Sequence, residues 1–281
     1  MSDACKTCSS GGSCNIDPND CGAAVEIEKS LIGSLNKIEN VIIVMSGKGG
    51  VGKSSVTGLI ASELARQGKK VGVMDADITG PSQPRAFGLA NVQLRGSDFG
   101  IIPPLTKLGI KLISINFFLP NEDDPVIWRG PILAGAVKQF WEEVDWRELD
   151  YLVVDLPPGT GDVPLTVMQT LPVKGIVIVS SPQELAVMIV KKTMNMAKKM
   201  SIPILGLIEN MSYAICSHCN EKLQIFGESQ GEKVARDTAV DFLGGLPWDA
   251  KLNQAVDQGE IESYDSSDIK DIVAKIIAKL D

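Results

Sequence analysis

Short apolar runs alternate with amphipathic stretches along this chain. The runs are rich in β-branched residues and lie at 41–45, 70–75, 110–115, 151–155, 175–180, 204–209 and 242–246. Runs of this length and composition are typical of buried parallel strands. Between and after them, patterns with helical spacing predict helices, such as those over 182–200, 229–239 and 268–280. The alternation predicts an α/β fold, a doubly wound and mostly parallel sheet flanked by helices.

The first residues have a different pattern. Residues 1–24 hold four of the six cysteines among Ser, Gly, Asn and Asp and contain almost no apolar residues, so they cannot form a hydrophobic core. We therefore expect three parts: a cysteine-rich metal-cluster-binding tail at 1–24, a linker or helix at 25–39, and one α/β domain at 40–281.

Composition narrows the classes of function. The formal net charge of −8 argues against a nucleic-acid-binding protein, which would usually be basic. No apolar run approaches the roughly 20 residues needed to span a membrane, and the first residues lack the apolar segment of a signal peptide. We expect a cytoplasmic protein, with neither nucleic acid nor membrane as a partner. In a reducing compartment, cysteines favour metal or redox chemistry over disulfides.

A glycine-rich stretch, GKGGVGKS at 47–54, follows the first predicted strand and precedes a helical pattern. This order is that of a phosphate-binding loop, in which glycine backbone N–H groups and a helix N-terminus surround phosphate oxygens. Lys53 can reach the terminal phosphates, and the Ser54 hydroxyl can hold magnesium. A glycine-rich turn without a ligand is the alternative. The stretch predicts a nucleotide-binding protein.

Acidic residues end two of the predicted strands. Asp75 and Asp77 follow the second strand, and Asp155 ends the run at 151–155. Carboxylates at this edge of a parallel sheet, beside a phosphate-binding loop, can hold magnesium or orient the attacking water. Asp75 and Asp77 could instead cap the turn that follows them. The proline- and glycine-rich loop after Asp155 could change shape when the terminal phosphate leaves.

The cysteines predict two metal sites. The tail holds Cys5, Cys8, Cys14 and Cys21. Four thiolates complete a zinc site or an iron–sulfur cubane, and the spacing of these four cysteines suits either one. A tail with incidental cysteines is the alternative. Cys216 and Cys219 form a C-x2-C pair after the strand at 204–209, and two thiolates are half a site. Solvent, other residues or a second copy of the chain must complete it, and a twofold dimer is the simplest closure.

Together these motifs resemble a known family. GKGGVGKS resembles the deviant Walker A motif of the nitrogenase iron protein and MinD group of P-loop ATPases. MDADITGPSQP, WRGP, DLPPGTGD and ENMS…CSHC are similar to the Mrp/ApbC branch, the iron–sulfur cluster carriers. The cysteine tail is similar to that of the cytosolic assembly scaffolds of this branch. Cys5, Cys8 and Cys14 match the last three of that family's four tail cysteines, and Cys21 is the candidate for the fourth ligand.

The resemblance implies residue roles. Lys48 would reach across a dimer to the partner's nucleotide, and Asp77 would orient the attacking water. Ser54, Asp75 and Asp155 would support Mg²⁺. The implied ATP-binding set comprises Gly47, Lys48, Gly49, Gly50, Val51, Gly52, Lys53, Ser54, Ser55 and, at the adenine, Asn210.

The resemblance also implies a dimeric, ATP-hydrolysing scaffold. It would carry one 4Fe–4S cluster in the tail and one bridged by Cys216 and Cys219 of two subunits, and would pass a cluster to apo-proteins. The subunits would be identical or a paralogous pair. An electron-transfer ATPase of the nitrogenase iron protein type and a zinc-stabilised partition or positioning ATPase are the alternatives.

Overall fold

The computed structural model describes residues 35–78, 80–97, 100–119, 130–182 and 186–281. A central sheet of parallel strands runs through it in the order β10-β8-β7-β1-β6-β2-β5, and β9 pairs antiparallel with β8. The strands are β1 (Lys37–Ser46), β2 (Val71–Asp75), β3 (Arg95–Ser97), β4 (Gly100–Ile102), β5 (Lys111–Ser114), β6 (Glu148–Asp155), β7 (Val173–Ser180), β8 (Ile204–Ile215), β9 (Lys222–Leu223) and β10 (Phe242–Pro247). Strands β3 and β4 form a separate antiparallel pair.

Helices connect the strands. They are α1 (Lys53–Arg66), α2 (Gln83–Ala86), α3 (Gly130–Glu142), α4 (Asp162–Thr170), α5 (Ala186–Lys199), α6 (Gly231–Thr238), α7 (Ala250–Asp257) and α8 (Ser267–Ala278), with 3-10 turns at Ile115–Phe118 and Ile261–Ser263. No helix in the described ranges is long and apolar enough to cross a membrane. The predicted doubly wound α/β fold is confirmed.

The fold brings the predicted site to one edge of the sheet. β1 lies between β6 and β7, and both pairings are parallel. Its residues 41–46 are all buried, which explains the unbroken apolar run at 41–45. From β1 the chain passes to β2 on one side of the sheet, and it later forms β7 on the other side of β1. This reversal of strand order opens a crevice at the carboxyl end of β1. The glycine-rich loop follows β1 at that point.

Two predicted boundaries need correction. β1 begins at Lys37, so residues 37–39, predicted as linker or helix, are strand; Lys37 and Ile38 pair with Glu148 and Leu149 of β6. β8 continues six residues past the predicted end at 209, because its outer half pairs with β9 and β10 instead of ending in a loop. The predicted tail at 1–24 lies outside the described residues.

Candidate functional site

The loop between β1 and α1 is shaped by glycines. Gly50 and Gly52 have φ values of 78° and 74°, a left-handed backbone that glycine adopts without strain. Gly52 is also the N-cap of α1, so the helix begins at Lys53 with its N-terminus toward the loop. Val51, between the two glycines, is buried. This backbone can turn successive N–H groups toward an anion at the start of α1.

Lys53 joins the loop to the acids of two neighbouring strands. Its Nζ lies 2.5 Å from Asp155 Oδ1 and 3.6 Å from Asp77 Oδ2, and it donates to Ser54 Oγ at 3.3 Å. The side chains of Lys53 and Asp155 are nearly inaccessible to solvent. The structure thus brings Lys53, Ser54, Asp77 and Asp155 together, four of the residues that the sequence singles out.

Two further side chains bind Asp155. Thr57 Oγ1 donates to Oδ1 at 3.0 Å, and Gln83 Nε2 donates to Oδ2 at 2.8 Å. The same Nε2 donates to the carbonyl oxygen of Ser54 at 3.0 Å, and Gln83 is fully buried. Thr57 is one helical turn after Lys53, so the helix period could have indicated it. Gln83 carries no such sequence signal, because only the tertiary fold brings it next to Asp155.

Asp75 orders the loop that carries Asp77. Its carboxylate accepts the backbone N–H groups of Asp77 at 3.2 Å, Ser82 at 3.1 Å and Gln83 at 3.2 Å. These contacts are those of the turn-capping alternative. Burial, and next the nearby charge of Asp155, raise the pKa of Asp75 to about 8. Its role toward magnesium stays a prediction.

The oxygens around Lys53 suit magnesium. Mg²⁺ prefers hard oxygen ligands and is usually held by one or two carboxylates together with substrate phosphates. Ser54 Oγ and Asp155 Oδ1 lie within 3.3 Å and 2.5 Å of the same nitrogen atom, Lys53 Nζ, so both face one small volume. The residues present therefore fit the ion, with Ser54 and Asp155 as the side chains that would hold it.

Lys48 lies in the loop, and Asn210 contacts the loop from β8. Lys48 is half-exposed, and its carbonyl oxygen accepts the Ser46 hydroxyl at 3.0 Å. Asn210 is buried, and its Nδ2 donates to the carbonyl oxygen of Val51 at 2.9 Å. The predicted adenine contact of Asn210 and the predicted cross-dimer role of Lys48 remain predictions. In the structure, the Asn210 side chain joins β8 to the loop by a direct hydrogen bond.

The two cysteines outside the tail share one turn between β8 and β9. The Cys216 N–H donates to the carbonyl oxygen of Glu221, and its own carbonyl oxygen accepts the Asn220 N–H, both at 2.9 Å. Backbone N–H groups of Cys219 and then His218 lower the pKa of the Cys216 thiol. Cys219 is exposed, and its Sγ donates to Glu221 Oε2 at 3.7 Å.

These thiols are two of the four ligands that the sequence predicts for a shared metal site. A lowered pKa favours the thiolate, the form that binds metals. Within the ranges that the structure describes, no group of three or more His, Cys, Asp or Glu side chains is arranged to hold a metal ion. Cys5, Cys8, Cys14 and Cys21 lie outside the described residues, so their predicted cluster is not tested.

Exposed apolar side chains lie close in sequence to the cysteine turn, on both sides of it. We call them the hairpin patch, and they are Ile215, Leu223, Ile225 and Phe226, between 40% and 54% exposed. Exposed large apolar side chains are candidates for protein contact. Ile215 pairs with Lys222 and Leu223 with Ala214, so Ile215 and Leu223 lie on opposite faces of the hairpin. The sequence did not indicate it, because these residues follow no helical or strand period.

Known proteins are similar to this chain over most of its length. The family model of ParA-type NUBPL iron-transfer P-loop NTPases matches residues 37–281. The iron–sulfur cluster carrier protein of Methanocaldococcus jannaschii is 45% identical over 282 residues, 99% of this chain and 96% of its own length. That of Clostridium perfringens is also 45% identical, over 93% of this chain and 94% of its own length.

Solved structures show the same fold. The nucleotide-binding protein of Archaeoglobus fulgidus, solved with ADP and with cobalt, is 45% identical, with a TM-score of 0.76 over 86% of this chain and 95% of its own. The septum site-determining protein MinD of Pyrococcus horikoshii, solved with Mg-ADP, is 19% identical, with a TM-score of 0.57 over 87% of this chain and 96% of its own. The second likeness concerns the fold alone.

Proposed function

The chain belongs to the ParA family of NUBPL-type iron-transfer P-loop NTPases, and we propose that it is an ATP-hydrolysing scaffold for a 4Fe–4S cluster. In this proposal two subunits, identical or paralogous, assemble the cluster between them and pass it to cytosolic apo-proteins. The relatives called iron–sulfur cluster carriers support the cargo. The ADP-bound relative supports the nucleotide.

Nucleotide chemistry follows from the groups around Lys53. A terminal phosphate would compete with Asp155 for the Lys53 ammonium, and Lys53 would then stabilise phosphate charge. Asp155 and Ser54 would be left to hold Mg²⁺, which neutralises charge on the phosphates when bound. Asp77 would orient the attacking water, and Asp75 would keep the loop of Asp77 in place. Lys48 of one subunit would stabilise the charge at the partner's nucleotide.

The single observation that carries the cluster proposal is the exposed cysteine turn. Cys216 and Cys219 offer two thiolates, and a cubane needs four. A second copy related by a twofold axis supplies the other two from the same surface. The hairpin patch supplies apolar area for that contact. The tail cysteines would hold a further cluster.

Anaerobic cluster reconstitution of the Cys216→Ala/Cys219→Ala double variant tests the proposal. We expect the variant to lose the bridging cluster and its transfer to an apo-protein, while ATP binding persists. Ser217→Ala, in the same turn, is the matched control and should behave as the wild-type chain. Iron, sulfide and zinc are measured per chain, because a tail cluster would remain in the variant.

Full cluster transfer by the double variant would contradict the proposal. So would zinc without iron or labile sulfide in the anaerobically purified wild-type chain, which would favour a partition or positioning ATPase. A cluster retained through repeated redox cycles without transfer would favour an electron-transfer ATPase.

A further inference from the structure

β8 contacts the nucleotide loop through a buried side chain. Asn210 is 4% exposed, and its Nδ2 donates to the carbonyl oxygen of Val51 at 2.9 Å. The packing is tight, because a Cβ on Gly52 would lie 2.1 Å from that Nδ2 and 3.5 Å from Met211 Cε. A change in the path of the loop at Val51 and Gly52 therefore acts directly on Asn210 and Met211.

The backbone of β8 is irregular at this contact. Met211 has a φ of 58°, a left-handed value that is uncommon outside glycine. The pairing with β10 passes from Gly245↔Glu209 to Pro247↔Tyr213, so β8 advances four residues while β10 advances two. Such a bulge bends a strand and redirects the residues after it. The bulge lies beside the nucleotide loop. A shift of the loop would therefore change the direction of β8 at the bulge.

The outer half of β8 is anchored close to the bulge. The last pair with β7 is Ser180↔Glu209, so β8 leaves β7 there. The buried Glu209 carboxylate accepts the hydroxyls of Ser212 and Ser229, each at 2.5 Å. These bonds fix both ends of the hairpin segment 212–229 to one point of the sheet. The hairpin therefore extends from a fixed base adjacent to Asn210.

The cysteine turn follows directly from the end of β8. Cys216 directly follows Ile215, the last residue of β8, and is bonded through its backbone to Asn220 and Glu221. At about 3.3 Å per extended residue, the six steps from Asn210 to Cys216 span at most about 20 Å, and less because of the bulge. A change of direction at the bulge is thus carried to the thiols.

We propose that Asn210 and the bulge at Met211 are positioning residues that transmit the state of the nucleotide loop to the cysteine turn. The inference rests on the proposed function, which uses both sites, and adds the route between them. Phosphates draw loop N–H groups toward themselves, which turns the Val51 peptide whose carbonyl oxygen Asn210 binds. The coupling is reciprocal, so a cluster on the cysteines changes nucleotide affinity by the same factor.

Hydrogen–deuterium exchange of the full, reduced, cluster-free chain tests this with and without saturating Mg-ADP. In the wild-type chain we expect nucleotide to change exchange of the hairpin segment about fivefold or more. Asn210→Leu keeps the side-chain size but removes the donor. Because Asn210 is also predicted to contact the adenine, Mg-ADP is raised until the loop peptides at 47–55 reach their wild-type protection, and the hairpin response should then still be lost. Asn253→Leu, exposed on α7, is the control and should keep the response.

A wild-type hairpin that ignores nucleotide, or a full response in Asn210→Leu, overturns the inference. Met211→Gly is the second variant: it adopts the left-handed φ freely and keeps Asn210, so a loosened bulge should at least halve the response. A full response in Met211→Gly excludes the bulge from the route. Iron and sulfide content is read separately. A responding chain that never assembles a cluster contradicts the proposed function alone, and cluster transfer without the response contradicts this inference alone.

Discussion

Gln83 has an unusual place among the polar residues of the site. Its backbone N–H binds Asp75, and its side chain binds both Asp155 and the carbonyl oxygen of Ser54. A neutral donor at Asp155 Oδ2 fixes that carboxylate without cancelling its charge, which leaves the charge available to a cation. Gln83 is thus a positioning residue for the acids rather than a ligand.

Gln83→Leu should weaken magnesium binding and destabilise the fold. Leucine fills the space but leaves the buried Asp155 Oδ2 and the half-buried Ser54 carbonyl oxygen without this donor, at a cost of about 1–3 kcal/mol in the free energy of unfolding. We expect the Mg²⁺ concentration that half-saturates ATP hydrolysis to rise several-fold, because Asp155 is less well oriented. Denaturant unfolding and a magnesium titration measure both effects. Gln254→Leu, exposed on α7, is the control, and equal behaviour of the two variants would refute the role.

Asp75 makes stability depend on pH. Its folded pKa is raised from 3.8 to about 8, first by burial and then by Asp155. Between these values the folded chain binds a proton that the unfolded chain has lost, so stability falls as pH rises from about 4 to 8. The slope from one such group is at most about 1.4 kcal/mol per pH unit.

Asp75→Asn should remove this contribution to the slope. The variant should be less stable overall, because both carboxyl oxygens of Asp75 accept backbone N–H groups and the amide N–H₂ that replaces one of them can only donate. Urea unfolding at pH 5, 6.5 and 8 measures both effects. Asp257→Asn, at an exposed position on α7, should keep the wild-type slope. An unchanged slope in Asp75→Asn would show that Asp75 does not titrate in this range.

At the scale of elements, the sequence predicted the strands of the parallel sheet well because those strands are buried on both faces. It failed where burial is partial. β1 begins with alternating exposed and half-buried residues, and α7 buries only Leu252 and Ala255, so neither has a strong apolar pattern there. The predicted strand at 204–209 ends too early, because the polar residues Asn210 and Ser212 interrupt the apolar run of β8 at the bulge.

The site was predictable to the same extent as its elements. Lys53, Asp77 and Asp155 follow strands or a glycine loop, and parallel topology alone brings such positions together. The contacts of Gln83 and Asn210 depend on residues 72 and 159 positions away in the chain. A local pattern does not contain pairings of that range, so they required the structure.

Two glycines of the nucleotide loop should respond differently to replacement by alanine: Gly52→Ala should destabilise the fold, and Gly49→Ala should not. Gly52→Ala would place a Cβ 2.1 Å from Asn210 Nδ2 at a φ of 74°, whereas a Cβ on Gly49 would meet no atom within 4 Å. We expect Gly52→Ala to lower the free energy of unfolding by about 1–3 kcal/mol, and Gly49→Ala to leave it near the wild-type value. Denaturant unfolding without nucleotide makes the comparison, and equal stability of the two variants would contradict the loop geometry.

At the scale of the whole molecule, the two incomplete sites favour one assembly. Lys48 is expected to act on a partner's nucleotide, and the cysteine turn is proposed to supply two of four thiolates. One twofold dimer would complete both, and β8 joins the loop to the turn within each subunit. A stable interface usually buries about 800 Å² per partner, and the hairpin patch offers apolar area beside the thiols for this purpose.

Charges in the hairpin patch should therefore weaken the dimer without touching the cysteines. Ile225 and Phe226 are 54% and 40% exposed, so the double change to Glu should not disturb the core. In the dimer these carboxylates would lose water without gaining a partner, and we expect the dissociation constant to rise at least about tenfold, equivalent to 1.4 kcal/mol. Sedimentation of the cluster-reconstituted chain over a concentration series measures it. Leu105→Glu, at a position that is 58% exposed and outside the patch, is the control. If the patch variant and this control dimerise equally, the contact between subunits lies elsewhere, and the cysteine turn cannot be at its centre.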